Sequence, residues 1–279
     1  MFYTGDYHVH TNYCPHGSND QINKYIENAI SLGLKEISFT EHAPLPKNFD
    51  DPTPENDSAM NWNDLANYIE EIQRLKEKYH KKIRINLGFE LDYIEGFDSE
   101  ISHFLDQTGP VIDDAILSVH MLKNPSGQYV CLDYSAEMFA EIIKQFGSVD
   151  KVYEQYYRTL NLAIRADLGK YKPQRIGHIT LIEKYSKKYL PKNDYTHTIE
   201  RLLDQISREN LALDINTAGL FKEDCNRIYP DESIIVKAHH KGIALIPGSD
   251  SHTASHLARG FNQLPEYIRF STPPLKTNN

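Results

Sequence analysis

Hydrophobic residues recur along the chain with two periods. Short β-rich runs at about 2–7, 36–40, 82–89, 114–119, 175–179, 211–215 and 244–247 read as strands. Between them lie stretches with helical spacing at 20–32, 63–79, 135–167, 196–210 and 231–241. In the first of these, Ile22, Ile26, Ala29 and Ile30 fall on one face. Strands alternating with helices are the pattern of βα units around a parallel sheet, so the expectation is one α/β domain over residues 1–270 with seven strands. Ser18-Asn19-Asp20, Asn63-Asp64 and Asp231 supply oxygens where a first helical turn leaves its amides unpaired, and Gly33 and Gly242 suit helix ends. The stretch 43–61, with Pro44, Pro46, Pro52 and Pro54, follows neither period and reads as a mobile flap. The polar tail 271–279 is expected to fray.

Composition narrows the class. An apolar fraction of 40%, a charged fraction of 25%, and 14 Gly with 14 Pro in 279 residues exclude a fibrous or disordered chain. The net charge of −9 disfavours a polyanionic partner, so nucleic acid is not expected. Cys14, Cys131 and Cys225 are odd in number and unrelated in spacing, which suits a reducing compartment rather than a disulfide framework. The segment MFYTGDYHVH has neither a basic region nor an apolar run, and no stretch reaches the roughly 18 apolar residues a membrane helix needs. A cytoplasmic protein with no membrane partner is the expectation.

Histidine, at 13 residues, carries the chemistry. His8 and His10 bracket Val9 at the end of the first strand, and alternation puts positions i and i+2 on one face. Each later strand also ends in a possible ligand: His42, Glu90, His120 and His178, then Asn216, then Asp250 and His252. His16 lies in a Pro/Gly loop that can return to the same point. Parallel strands deliver their C-terminal ends to one rim, so seven histidines and two carboxylates should converge there. The other six, His80, His103, His197, His239, His240 and His256, show no such regularity and read as surface residues. Glu41 and Asp92 read equally well as solvated groups or site groups, and Cys14 reads as a neighbour rather than a ligand. A mononuclear catalytic zinc takes about three protein ligands, so nine candidates imply more than one metal. Multinuclear imidazole and carboxylate sites suit Zn, Mn or Fe and suit phosphate ester hydrolysis, because cations lower the pKa of bound water and neutralise phosphoryl charge.

At these residues the chain resembles the polymerase and histidinol phosphatase (PHP) family, in its histidinol-phosphatase branch. The matching elements are HVHTNYCPHG, FTEH, LGFELDY, LSVH, IGHITLIEKY, LDINTAGL followed by IYP, and GSDSH. The resemblance covers nearly the whole chain and implies a distorted (β/α)7 TIM-like barrel with three divalent metal ions at the C-terminal ends of its strands. It pairs His8, His10, Glu90 and Asp250 with the first ion and makes Glu90 a bridge to a second held by His120 and His178. His16, His42 and His252 are left for the third.

The function so implied is hydrolysis of L-histidinol phosphate, a small-molecule phosphate ester, to L-histidinol and phosphate. Asp250 or His252 would pass a proton to the leaving alkoxide. Arg158 or Arg259 would hold the phosphate, and Glu41 or a residue of the 43–61 segment the amine. The alternatives are a PHP-type phosphotyrosine phosphatase or nuclease, an amidohydrolase-type barrel, and a noncatalytic metal-binding module.

Overall fold

The structure, a computed structural model, describes residues 3–274. The apolar runs form strands and the periodic stretches form helices, alternating except between β4 and β7. The order is β1 (Gly5–Val9), α1 (Ile22–Ser31), β2 (Glu36–His42), α2 (Leu65–Tyr79), β3 (Arg84–Asp92), α3 (Asp98–Thr108) and β4 (Asp114–Ser118). A hairpin, β5 (Met121–Lys123) and β6 (Tyr129–Cys131), leads into α4 (Ala136–Phe146) and α5 (Val149–Arg165). Then come β7 (Arg175–Ile176), α6 (Thr196–Arg208), β8 (Ala212–Asn216), α7 (Glu232–His240) and β9 (Leu245–Gly248).

The sheet order is β1-β2-β3-β4-β7-β8-β9 with every neighbouring pair parallel. The remaining seam closes just beyond β9, where Asp250 N donates to His8 O at 2.8 Å and His10 N to Ser251 O at 2.9 Å. The expected (β/α)7 barrel is therefore the observed fold. Its distortion sits at β4 and β7, which share a single register pair, Leu117 with Ile176.

Alternation along each strand sorts the two sides of the barrel wall. Ile37 and Phe39 of β2, Leu87, Phe89 and Leu91 of β3, and Leu213 and Ile215 of β8 pack in the main core with the helical stripes. One such stripe is Ile22, Tyr25, Ile26 and Ala29 of α1, and another is Ile199, Leu202, Leu203 and Ile206 of α6. Each fully buried aliphatic or aromatic side chain contributes about 1.5–3 kcal/mol relative to exposure. Buried polar residues alternate with them, and they have partners because an unpaired buried charge is costly. Arg175 donates to Asp114 Oδ2 at 2.7 Å and to Tyr7 O at 2.8 Å, and lies 3.5 Å from Asp214 Oδ1. Asp6 accepts from Ser249 N at 2.9 Å and Ala258 N at 2.8 Å. This polar layer is a floor beneath the strand ends.

Several expectations need correction. The first strand begins at Gly5, and Phe2 and the tail from 275 lie outside the described residues. The 135–167 stretch is two helices, broken at Gly147, whose φ of +87° an L side chain resists. Ser135 and Ser148 cap the two halves through Met138 N and Lys151 N. Asp231 caps α7 as expected, but Asp64 makes no side-chain cap on α2. Asp20 accepts from Thr253 Oγ1 and Ala254 N, both at 3.0 Å, instead of capping α1. Helix α3 was legible in the spacing of Ile101, Phe104, Leu105 and Thr108 but absent from the expected elements.

The 43–61 segment is held rather than free. Phe49 is buried against Ile94, Met121 and Cys131, and the Trp62 indole donates to Leu45 O at 2.8 Å. Asp51 accepts from the amides and hydroxyls of Thr53 and Ser58 at 2.7–3.0 Å. A segment tied at this many points is a packed loop and not a flap.

Candidate metal centre

All nine predicted donors meet at the C-terminal ends of the strands. Glu90, at the end of β3, is the hub. Its Oε2 lies 3.2 Å from His8 Nε2, 3.5 Å from His10 Nε2 and 3.3 Å from His42 Nδ1. Its Oε1 lies 3.0 Å from His178 Nε2 and 3.8 Å from His120 Nε2, and accepts the Ser118 hydroxyl at 2.5 Å. Asp250 Oδ1 lies 3.1 Å from His10 Nε2, and Asp250 Oδ2 accepts Asn216 Nδ2 at 3.1 Å. Asp250 sits at φ +52°, a conformation aspartate tolerates better than most residues. His252 Nε2 faces His16 Nε2 at 3.2 Å.

Acceptors behind the rings decide which nitrogen faces inward. Asp214 Oδ2 holds His8 Nδ1 at 2.9 Å, Glu41 Oε1 holds His10 Nδ1 at 3.2 Å, and Asp92 Oδ1 holds His120 Nδ1 at 2.7 Å. Backbone oxygens do the same for His16 (Asp57 O, 2.7 Å) and His252 (Asp250 O, 3.1 Å). A ring held at Nδ1 presents Nε2, which is how proteins orient metal-binding imidazoles. Three ring nitrogens, His10 Nε2, His42 Nδ1 and His178 Nδ1, are buried without a hydrogen-bond partner. The first two nevertheless lie within 3.3 Å of a carboxylate oxygen. Unpartnered buried nitrogens beside carboxylates fit a cation between them.

Electrostatics agree. Burial pushes the Glu90 and Asp250 carboxyls up, but the surrounding histidines hold both well below the usual carboxylate range. Burial lowers His10 and His120, and their carboxylate neighbours outweigh it, raising them to about 9 and about 10. Burial and the charge of His10 keep His42 and His252 well below the ordinary histidine value. The centre is built to hold positive charge, and its imidazole and carboxylate donors are those of a divalent-metal site. Seven of the nine donors, with Cys14 beside them, fall into three overlapping groups: His8, His10 and Glu90; Glu90, His120 and His178; and His10, Cys14, His42 and His252.

Above the donors opens a cavity of about 670 Å³. Arg259, Lys222 and His256 line it, His256 exposed as expected and placed at the cavity's rim. The Arg259 guanidinium lies 3.6 Å over the Phe221 ring. Arg158 is not at the cavity. It lies on α5, mostly exposed, paired with Glu95 at 3.1 Å beside a separate hollow that includes Lys123 and Asn124. Glu41 is fully buried and accepts Thr11 N at 2.7 Å, Thr11 Oγ1 at 2.6 Å and His42 N at 3.0 Å besides its bond to His10. Enclosed by these partners, it does not line the cavity. Lys222 and Asp57 were missed, since both sit in loops without periodicity and only the NTAGL-to-YP stretch and the 43–61 segment as wholes were marked.

A family model described as PHP domain matches residues 6–218. The chain belongs to the PHP family. It is 45% identical over 263 residues to a histidinol-phosphatase of Bacillus subtilis, covering 94% of this chain and 98% of that one. A probable histidinol-phosphatase of Deinococcus radiodurans is 28% identical over 95% of this chain and 92% of its own. Among solved structures, a putative histidinol phosphatase from Listeria monocytogenes superposes with a TM-score of 0.89 at 33% identity, over 94% of this chain and all of that one. The Lactococcus lactis histidinol phosphate phosphatase, solved with zinc, L-histidinol and phosphate, shares the PHP barrel at a TM-score of 0.64 and 22% identity. That match covers 90% of this chain and 87% of that one.

Proposed function

We propose that this PHP protein is a metal-dependent phosphomonoesterase that hydrolyses L-histidinol phosphate to L-histidinol and phosphate. The observation that carries this reading is the convergence of five histidines on one buried Glu90, with His16, His252 and Asp250 beside them, beneath an open cavity. The chain around that centre is 45% identical, nearly end to end, to a histidinol-phosphatase.

The residues that would hold three divalent ions, Zn, Mn or Fe, are His8, His10, Glu90 and Asp250; Glu90, His120 and His178; and His16, His42 and His252. When bound, such ions lower the pKa of water and neutralise charge on a phosphoryl group. The work of the chain is to fix those donors. Asp214, Glu41 and Asp92 lock the rings, and Ser118 holds Glu90. Asp250 and His252, whose side chains are 20% and 29% exposed while those of His8 and Glu90 are 0% and 2% exposed, are assigned to orient cavity water at the leaving oxygen, and that water supplies the proton the alkoxide takes up. Arg259 and Lys222 are assigned to the phosphate, since both line the cavity and an arginine fork suits phosphoryl oxygens.

The test is phosphate release from L-histidinol phosphate, a phosphotyrosine peptide and p-nitrophenyl phosphate on protein of measured Zn, Mn and Fe content. A kcat/KM for histidinol phosphate roughly 100-fold above the others is expected. Equal rates on all three reject the substrate while leaving a metallophosphoesterase.

A further inference from the structure

Five carboxylates line the cavity: Asp57, Glu90, Asp92, Asp133 and Asp250. Four of them are committed. Glu90 and Asp250 lie among the histidines. Asp92 accepts His120 Nδ1 at 2.7 Å and His120 N at 3.2 Å. Asp133 accepts Lys184 Nζ at 2.9 Å and Cys131 Sγ at 3.4 Å. Among the described residues, Asp57 alone of the five has neither an ion pair nor a side-chain hydrogen bond, and it is half-buried at the cavity wall.

The loop after β2 is built to present that carboxylate. Asp57 O accepts His16 Nδ1 at 2.7 Å, so the backbone is tied to the metal centre while the side chain stays uncommitted. Asp51 gathers the amides and hydroxyls of Thr53 and Ser58 on either side of it. Thr53 Oγ1 also accepts Asp57 N at 3.2 Å. Tyr134 lines the same cavity, and its phenol is pushed up by partial burial and then by the charge of Asp57, which places the ring in electrostatic reach of the carboxylate. The cations Lys222 and Arg259 come from the loops after β8 and β9. Anion-binding and cation-binding groups thus enter the cavity on separate loops, an arrangement complementary to a small molecule that carries both a phosphate and an ammonium.

We propose that the Asp57 carboxylate receives the substrate's ammonium group and that the loop after β2 sets the selectivity for amine-bearing phosphate monoesters. The inference rests on the phosphomonoesterase reading and adds to it the residue that recognises the amine, which L-histidinol phosphate carries on the carbon next to its phosphorylated CH2–O group. A charge-assisted hydrogen bond at such a site changes selectivity by about 10–100-fold.

The experiment compares wild type with Asp57→Asn, which preserves side-chain shape and leaves the backbone bond to His16 available. Both are assayed at matched metal content on L-histidinol phosphate, on 3-(imidazol-4-yl)propyl phosphate, which lacks the amine, and on p-nitrophenyl phosphate. The expected result is that wild type prefers histidinol phosphate over the amine-free analogue. In Asp57→Asn the loss on histidinol phosphate should exceed the loss on the other two by about 10–100-fold and fall chiefly on KM. A loss of equal size on all three substrates, or no loss on any, overturns the assignment. So does a wild type that favours the two imidazole-bearing esters equally over p-nitrophenyl phosphate, which leaves the phosphatase reading standing. A wild type with no preference among the three overturns the assignment and the histidinol phosphate substrate together, and leaves a metallophosphoesterase.

Discussion

At the scale of single residues, the decisive pairs are those between an imidazole and the acceptor behind it. Asp92 holds His120 at 2.7 Å, and losing such a partner typically costs about 10–100-fold in metal affinity. Asp92→Ala should therefore release one equivalent of metal on titration with a competing chelator, and restoring excess metal should recover part of kcat. His120→Ala should lose that equivalent and most turnover; full metal content with unchanged activity would reject its assignment. Glu41 makes a sharper prediction, since it is enclosed by Thr11, His10 and His42. Glu41→Gln should lower kcat/KM on histidinol phosphate and p-nitrophenyl phosphate by the same factor, and a loss confined to KM for histidinol phosphate would show it to be a recognition residue after all. The donors themselves were legible because strand alternation and strand ends are local facts. Which acceptor stands behind which ring was not, and Asp214 went unmarked because it is 206 positions from His8.

At the scale of elements, the strands and most helices follow from periodicity, and the departures have physical causes. Gly147 breaks one long apolar period into α4 and α5 because its backbone is left-handed. Gly177 shows a close approach that no period records: a Cβ there would overlap the Ser118 hydroxyl, which holds Glu90. Gly177→Ala should push Ser118 aside and weaken metal retention more than it weakens folding, checked by comparing metal content with the thermal midpoint of the metal-free protein. The 43–61 segment looked like a flap because it is rich in proline and lacks a period. Its anchors, Phe49 in a small apolar cluster and Asp51 beneath Thr53 and Ser58, depend on tertiary contacts or on turn chemistry that composition does not show.

At the scale of the whole molecule, one barrel carries a polar interior from its floor to its rim. Arg175 sits fully buried between Asp114 and Asp214, and Asp214 in turn holds His8. Removing one partner from a buried charge cluster costs about 3–5 kcal/mol, so Arg175→Ala should lower the unfolding free energy measured by denaturant titration by that much and weaken metal binding with it. Chelation of the native protein should lower its thermal midpoint in a metal-concentration-dependent way, because ions that bind only the folded state stabilise it. Among the described residues no helix is long and apolar enough to cross a membrane. The sequence by itself determined the seven barrel strands, though not the β5–β6 hairpin, their alternation with helices and the nine donors at or just after the strand ends, because side-chain period and the common direction of parallel strands are properties of short segments. Only the tertiary structure decided that Arg259 and not Arg158 faces the cavity, that Glu41 is spent on His10, and that Asp57 is left uncommitted. Each of those outcomes depends on which distant side chain occupies a charge, and a chain read in one dimension does not record that pairing.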